Sequence, residues 1–195
     1  SNKHLELIAH SDYSVHLGDV GFNYDYLKDV DSSRHKIIGG NHDNYDLLPQ
    51  IPMYLGDAGY IQTQTQKIFF VRGAFSIDRE FRTPHVSWWE KEQISNDKFA
   101  RTIDLYRATK PDIVLSHTCP VSVAPYFMPP YYSGTLYNRT STLLEQLLYH
   151  HSPQNWYFGH YHISRDYRYQ KTLFTCVNTD TYVDILGDIV SVTSV

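Results

Sequence analysis

The stretch His35-Lys36-Ile37-Ile38-Gly39-Gly40-Asn41-His42-Asp43 decides the fold. A short apolar run, about the length of a buried strand, passes into two glycines and then into three polar side chains. Glycine at such a junction lets the backbone approach a neighbour closely or take positive φ. An Asn-His-Asp cluster is costly inside a protein unless its polar atoms find partners.

The same arrangement recurs along the chain. Residues 13–17 run into Gly18-Asp19, residues 112–115 into Ser116-His117, and residues 155–158 into Gly159-His160-Tyr161-His162. Helical spacing of apolar residues falls between or near these runs, at 3–9, 23–30, 97–109 and 142–149. Alternating strands and helices imply an α/β fold. Residues 60–63 and 67–72 read as a hairpin, and 167–169 and 172–177 as further strands. In open α/β sheets, ligands lie beyond the carboxyl ends of the strands. One rule therefore brings Asp19, Asn41, His42, Asp43, His117, His160 and His162 together in space.

Composition bounds the function classes. The 195 residues, 42% hydrophobic, fit a single domain spanning 1–195. Lys+Arg 17 against Asp+Glu 21 leaves a net charge of -4, so no basic field grips nucleic acid. Only Cys119 and Cys176 are present, without C-x-x-C spacing, which disfavours a disulfide framework and favours a cytoplasmic setting. No apolar run approaches the ~18–20 residues of a membrane span.

The clustered side chains are metal ligands by type. Asp19 offers a carboxylate able to bridge two cations, Asn41 an amide oxygen, and His117, His160 and His162 neutral imidazoles. That donor set suits Mn²⁺, Fe²⁺, Zn²⁺ or Ni²⁺. The absence of cysteine from it argues against a structural zinc knot. His42, beside Asn41, is placed to give a proton to a leaving oxygen, and Asp43 to fix its tautomer.

The ordered set Gly18-Asp19, Gly40-Asn41-His42-Asp43, Ser116-His117 and Gly159-His160-x-His162 resembles the calcineurin-like metallophosphoesterase family. The resemblance implies a two-sheet β-sandwich flanked by helices, carrying two divalent cations, Mn²⁺ foremost, and hydrolysing a phosphate mono- or diester. Asp19 would bridge the cations, with Asn41, His117 and His160 on one and His162 on the other, while His42 assists the leaving group. Two cations ~3.5–4 Å apart stabilise both oxygens of an in-line displacement. The expected partner is a small phosphorylated substrate. A nucleotide or dinucleoside polyphosphate hydrolase is one alternative, and a catalytically impaired binding module of the same fold is another. The family pattern opens with D-x-H on a first strand, and nothing here matches it. That strand is expected to precede residue 1.

Other residues carry weaker signals. Arg79 and Arg82 could clamp a phosphate through a planar fork, although paired arginines in a packed loop are the plainer reading. The loop 120–134, rich in Pro and Tyr, follows His117 and could roof a cleft. His4, His10, His16, His35, His150 and His151 read as surface or core histidines, and His85 is ambiguous.

Overall fold

Alternation along the strands sorts the apolar side chains into separate cores. The computed structural model describes residues 2–128, 136–185 and 187–195. Its sheets are built from β1 (Ser14–His16), β2 (His35–Ile37), β3 (Ala58–Thr63), β4 (Lys67–Val71), β5 (Ile113–Ser116), β6 (Asn155–Phe158), β7 (Arg165–Tyr169), β8 (Thr172–Cys176) and β9 (Ile189–Ser194). The helices are α1 (Asn2–Ala9), α2 (Asn96–Thr109) and α3 (Arg139–His150). The fold is thus mixed α/β, with a seven-stranded sheet ordered β7-β8-β6-β5-β4-β3-β9 and a two-stranded parallel sheet β1-β2.

Successive strand residues point to opposite faces. On β4, Phe69 and Val71 enter one core while Ile68 and Phe70 enter another. On β5, Val114 joins the first core, and Ile113 and Leu115 join the second. The first core is closed by α2 and α3, through Tyr106, Leu143, Leu144 and Leu147. The second core is closed by the small sheet, through Val15, Leu17 and Ile38. Ile37, one residue away, faces a third cluster with Tyr24, Leu48 and Trp89. Each fully buried Phe, Ile or Leu here contributes about 1.5–3 kcal/mol. A charge at Phe70 or Ile38, both 0% exposed, would break the seam between the sheets.

Local chemistry sets the element ends. The Asn138 side chain accepts from the Ser141 N–H at 3.0 Å and caps α3. Helix α2 stops at Lys110, which adopts the left-handed conformation. The β3–β4 hairpin turns on Thr63, whose hydroxyl accepts from Gln66 N–H at 2.9 Å.

Two expectations change. Residues 23–30 form only the single 3₁₀ turn Asp25–Leu27, where the Asn23 side chain captures the backbone N–H of Asp25 at 2.8 Å. Strand β9, absent from the sequence reading, is a mostly exposed edge strand pairing antiparallel with β3.

Strands β4, β5, β6 and β8 run parallel, so their carboxyl ends lie along one edge of the large sheet. The ends of β1 and β2 meet that edge: the Gly73 N–H, after β4, donates to the Gly39 carbonyl, after β2, at 2.7 Å. The segment 129–134 of the proposed roof loop lies outside the described residues. No helix among the described residues is long and apolar enough to cross a membrane.

Candidate functional site

Three strand ends deliver three donor atoms to one point. His117 follows β5 and places Nε2 3.0 Å from Asn41 Oδ1, which follows β2. The same Nε2 lies 3.3 Å from Oδ1 of Asp19, which follows β1. Behind the ring, His117 Nδ1 donates to the Leu17 carbonyl at 2.6 Å. A carbonyl only accepts, so Nδ1 carries a proton and Nε2 is the atom presented to the site. The His160 ring centroid lies 5.2 Å from that of His117.

The electrostatics follow from this crowding. Burial disfavours the charged form of His117, yet the Asp19 carboxylate, its hydrogen bond and the Leu17 carbonyl outweigh it and raise the pKa. Burial likewise pushes the Asp19 carboxyl up, but His117 and the His42 N–H hold it well below the usual carboxylate range. His42 N–H donates to Asp19 Oδ1 at 2.8 Å. His160 goes the other way: burial and the nearby His117 lower it to about 3, keeping its imidazole neutral.

Asp43 holds the loops together. Its Oδ2 accepts from Asp19 N at 2.9 Å and Gly40 N at 2.7 Å. Its Oδ1 accepts from Gly21 N at 3.0 Å and the Tyr24 hydroxyl at 3.2 Å. Both oxygens are thereby committed to the loops after β1 and β2, and the His42 ring finds a different partner. Burial pushes the Asp43 carboxyl up to about 6, against the Gly40 and Gly21 N–H groups that favour its ionised form.

Close approach explains the glycines. A Cβ on Gly18 would stand 2.5 Å from His117 Nδ1, and one on Gly40 would stand 2.7 Å from His117 Cε1. Asp19, His160 and His162 all have positive φ, at 58°, 67° and 53°. Asp and His tolerate this region better than most residues, at a cost of order 1–3 kcal/mol each. Such strain persists where surrounding contacts over-determine it.

The remaining candidates sit around this point. His42 Nε2 faces the Arg82 guanidinium at 3.2 Å, and Arg82 is clamped by Asp78 at 2.8 and 2.7 Å. Arg79 is exposed, stacked 4.7 Å over the Phe75 ring. His162 is exposed and outside the tight set. Among the described residues, no three His, Cys, Asp or Glu side chains form a cation cage by themselves; the tight set includes the Asn41 amide.

No family model matches this sequence, and no curated protein matches it. The chemistry is therefore read from the side chains themselves. A carboxylate, an amide oxygen and an oriented imidazole nitrogen converge within hydrogen-bonding distance, beside a neutral imidazole. Like the donors of many cation sites, they are held by outer hydrogen bonds.

Ser76, which has no partner signature in the sequence to mark it as a nucleophile, belongs to the site, together with Glu92. Ser76 accepts from Asn41 Nδ2 at 3.1 Å and donates to Glu92 Oε2 at 2.6 Å. The rule that found the other clusters reaches Ser76, since it lies beyond the carboxyl end of β4. Nothing in the sequence around Glu92 signals its role. Cys119 and Cys176 are both free thiols and both buried.

Proposed function

We propose that the protein hydrolyses a phosphate mono- or diester with two divalent cations, Mn²⁺ foremost, on a calcineurin-like phosphoesterase fold. The observation that carries this reading is the meeting of Asp19, Asn41 and His117 at 3.0–3.3 Å from three separate strand ends. The donor set fits a borderline divalent ion: mixed oxygen and imidazole, no thiolate, and a His117 ring locked with Nε2 inward. The two packed sheets flanked by helices agree with the architecture of that family.

Asp19, Asn41, His117 and His160 would hold one cation, and Asp19 with His162 would contribute to the second. Bound cations would supply Lewis-acid stabilisation of a phosphoryl oxygen and lower the pKa of water. The chain's own groups do the rest. His42, beside Asn41 and oriented by Arg82, is placed to serve the leaving oxygen. Arg82, already engaged by Asp78, acts on His42 rather than as a free phosphate clamp. The substrate is a small phosphorylated molecule, with nucleotides and dinucleoside polyphosphates among the candidates.

The exposed His162 favours a second reading, a module of this fold that binds a cation without turnover. Hydrolysis of aryl phosphate mono- and diesters by the Mn²⁺-loaded protein, with metal counted per chain, separates the two. Turnover that disappears in His117→Ala and Asn41→Ala supports the enzyme. One cation or none, with no turnover on either ester, sinks it.

A further inference from the structure

We propose that Glu92 dictates, through Ser76, which end of the Asn41 amide faces the site. The chain of hydrogen bonds runs inward from a buried carboxylate. Ser76 N–H donates to Glu92 Oε1 at 2.9 Å, and Ser76 O–H donates to Oε2 at 2.6 Å. Asn41 Nδ2 then donates to Ser76 Oγ at 3.1 Å, and Asn41 Oδ1 points to His117 Nε2 at 3.0 Å. Asn41, Ser76, Glu92 and His117 are 3%, 1%, 1% and 2% exposed, so water does not substitute for any partner.

Donor and acceptor logic makes the polarity compulsory. An ionised carboxylate only accepts, so the Ser76 hydroxyl must spend its proton on Glu92. Its oxygen is then available only as an acceptor toward Asn41. The amide answers with its NH₂, and its carbonyl oxygen is left facing inward. A cation ligand must be that oxygen, because an NH₂ presents two protons and no lone pair. Glu92 thus acts as a positioning residue, far along the chain from the group it orients. Its own place is fixed by Gly73, whose missing side chain lets the Glu92 carbonyl pack against it at φ 87°.

Glu92→Gln inverts the relay at nearly constant shape. With the carbonyl of the substituted side chain accepting the Ser76 N–H, its NH₂ points at Ser76 Oγ. The hydroxyl proton must then go to Asn41, which turns its oxygen outward and its NH₂ toward His117. The cation-affinity part rests on the phosphoesterase reading, whereas the amide orientation does not. In metal-free protein, the Asn41 side-chain NH₂ resonances should move in Glu92→Gln and in Ser76→Ala. In Mn²⁺ titrations, Glu92→Gln should weaken binding by about 10–100-fold, the range for outer-shell partners of a ligand. Ser76→Ala added to Glu92→Gln removes the inverting proton, so the double variant should bind Mn²⁺ more tightly than Glu92→Gln alone.

Two merely structural lesions would instead add, and a double variant that binds no better than Glu92→Gln overturns the relay. So do unmoved Asn41 signals in either single variant. If Glu92→Gln fails to fold, Ser76→Ala alone decides through the amide signals and the Mn²⁺ titration, and no change in either overturns it. Unmodified protein that takes up no Mn²⁺ while the amide signals move as expected overturns the phosphoesterase reading and upholds the relay.

Discussion

Arg82 directs a guanidinium N–H at Nε2 of His42 across 3.2 Å. A guanidinium has no acceptor, so the His42 lone pair sits on Nε2 and its proton on Nδ1. Burial lowers the His42 pKa and Arg82 lowers it further, against the pull of Asp19. Arg82→Ala removes a cation and frees the Asp78 carboxylate that neighbours the ring. The His42 midpoint should therefore rise, read by NMR titration of the ring. Turnover near neutrality should fall by about 10-fold or more. An unchanged midpoint would show that Arg82 does not govern the ring.

Asp43→Asn should cost stability before it costs chemistry. Four donors, from Asp19, Gly21, Gly40 and Tyr24, converge on its two oxygens. An asparagine NH₂ would confront one pair of them with protons. Losing charge-assisted bonds and stranding buried donors is worth about 2–4 kcal/mol. Urea unfolding at pH 7 should register that loss, with Mn²⁺ affinity falling alongside because the Asp19 backbone is released.

The strand ends are legible in the sequence because each apolar run stops at a glycine or a small polar residue. Gly18-Asp19, Gly40-Asn41, Ser116-His117 and Gly159-His160 all obey that pattern, and one topological rule then gathers Asp19, Asn41 and His117, whose side chains meet at 3.0–3.3 Å. Strand β9 escapes because Ile189–Ser194 lies on an exposed edge, without a strong buried face to impose periodicity. The turn at Asp25–Leu27 escapes because Asn23 bonds its own backbone in place of a helix. Glu92 escapes for a different reason: its meaning lies in a contact with Ser76, and no local pattern encodes such a contact. Asp43 turns both oxygens to the loops and not to the His42 ring, since adjacency in sequence says nothing of which way a buried carboxylate faces.

Two glycines near the site should respond to alanine by different amounts. Gly21 has φ 115° with nothing within 4 Å of an added Cβ, so Gly21→Ala meets backbone strain alone, about 1–2 kcal/mol. Gly40 lacks positive φ, yet its Cβ would overlap Asp19 and stand 2.7 Å from His117 Cε1. Gly40→Ala must push the site apart, costing about 3 kcal/mol or more. Thermal unfolding should rank Gly40→Ala well below Gly21→Ala, and only Gly40→Ala should abolish Mn²⁺ binding.

His16 should govern part of the acid limb of stability. Its ring centroid lies 4.4 Å from that of His4, with the two planes tilted by 49°, and its buried Nδ1 has no hydrogen-bond partner among the described residues. Burial, then the neighbouring His4 and His117, lower its pKa to about 3. The unfolded chain takes up a proton near 6.5 that the folded chain refuses until about 3. Stability therefore falls as pH drops through that window, by up to about 1.4 kcal/mol per pH unit. His16→Leu should flatten the slope by about one proton and keep or raise stability at pH 7, since an unpaired buried nitrogen is removed. Urea unfolding across pH 4–7 checks both signs, and an unchanged slope would rule His16 out.

Cation uptake should release a proton from His117. Its Nδ1 proton is held by the Leu17 carbonyl, so any second proton sits on Nε2, between Asp19 and Asn41. The Asp19 carboxylate that raises the His117 pKa is also the group a cation would claim. Proton and cation therefore compete for one position, and Mn²⁺ affinity should weaken as pH falls below the His117 midpoint. Calorimetric titrations in buffers of different ionisation enthalpy should reveal up to one proton released per tightly bound cation, fading at higher pH. Saturation at about 100 times Kd should also stabilise the fold by about 2.7 kcal/mol. His117→Ala should remove both the proton release and the stabilisation. Affinity independent of pH from 5 to 8 would mean that the cation binds elsewhere, leaving His117 as a buried pin between strand ends.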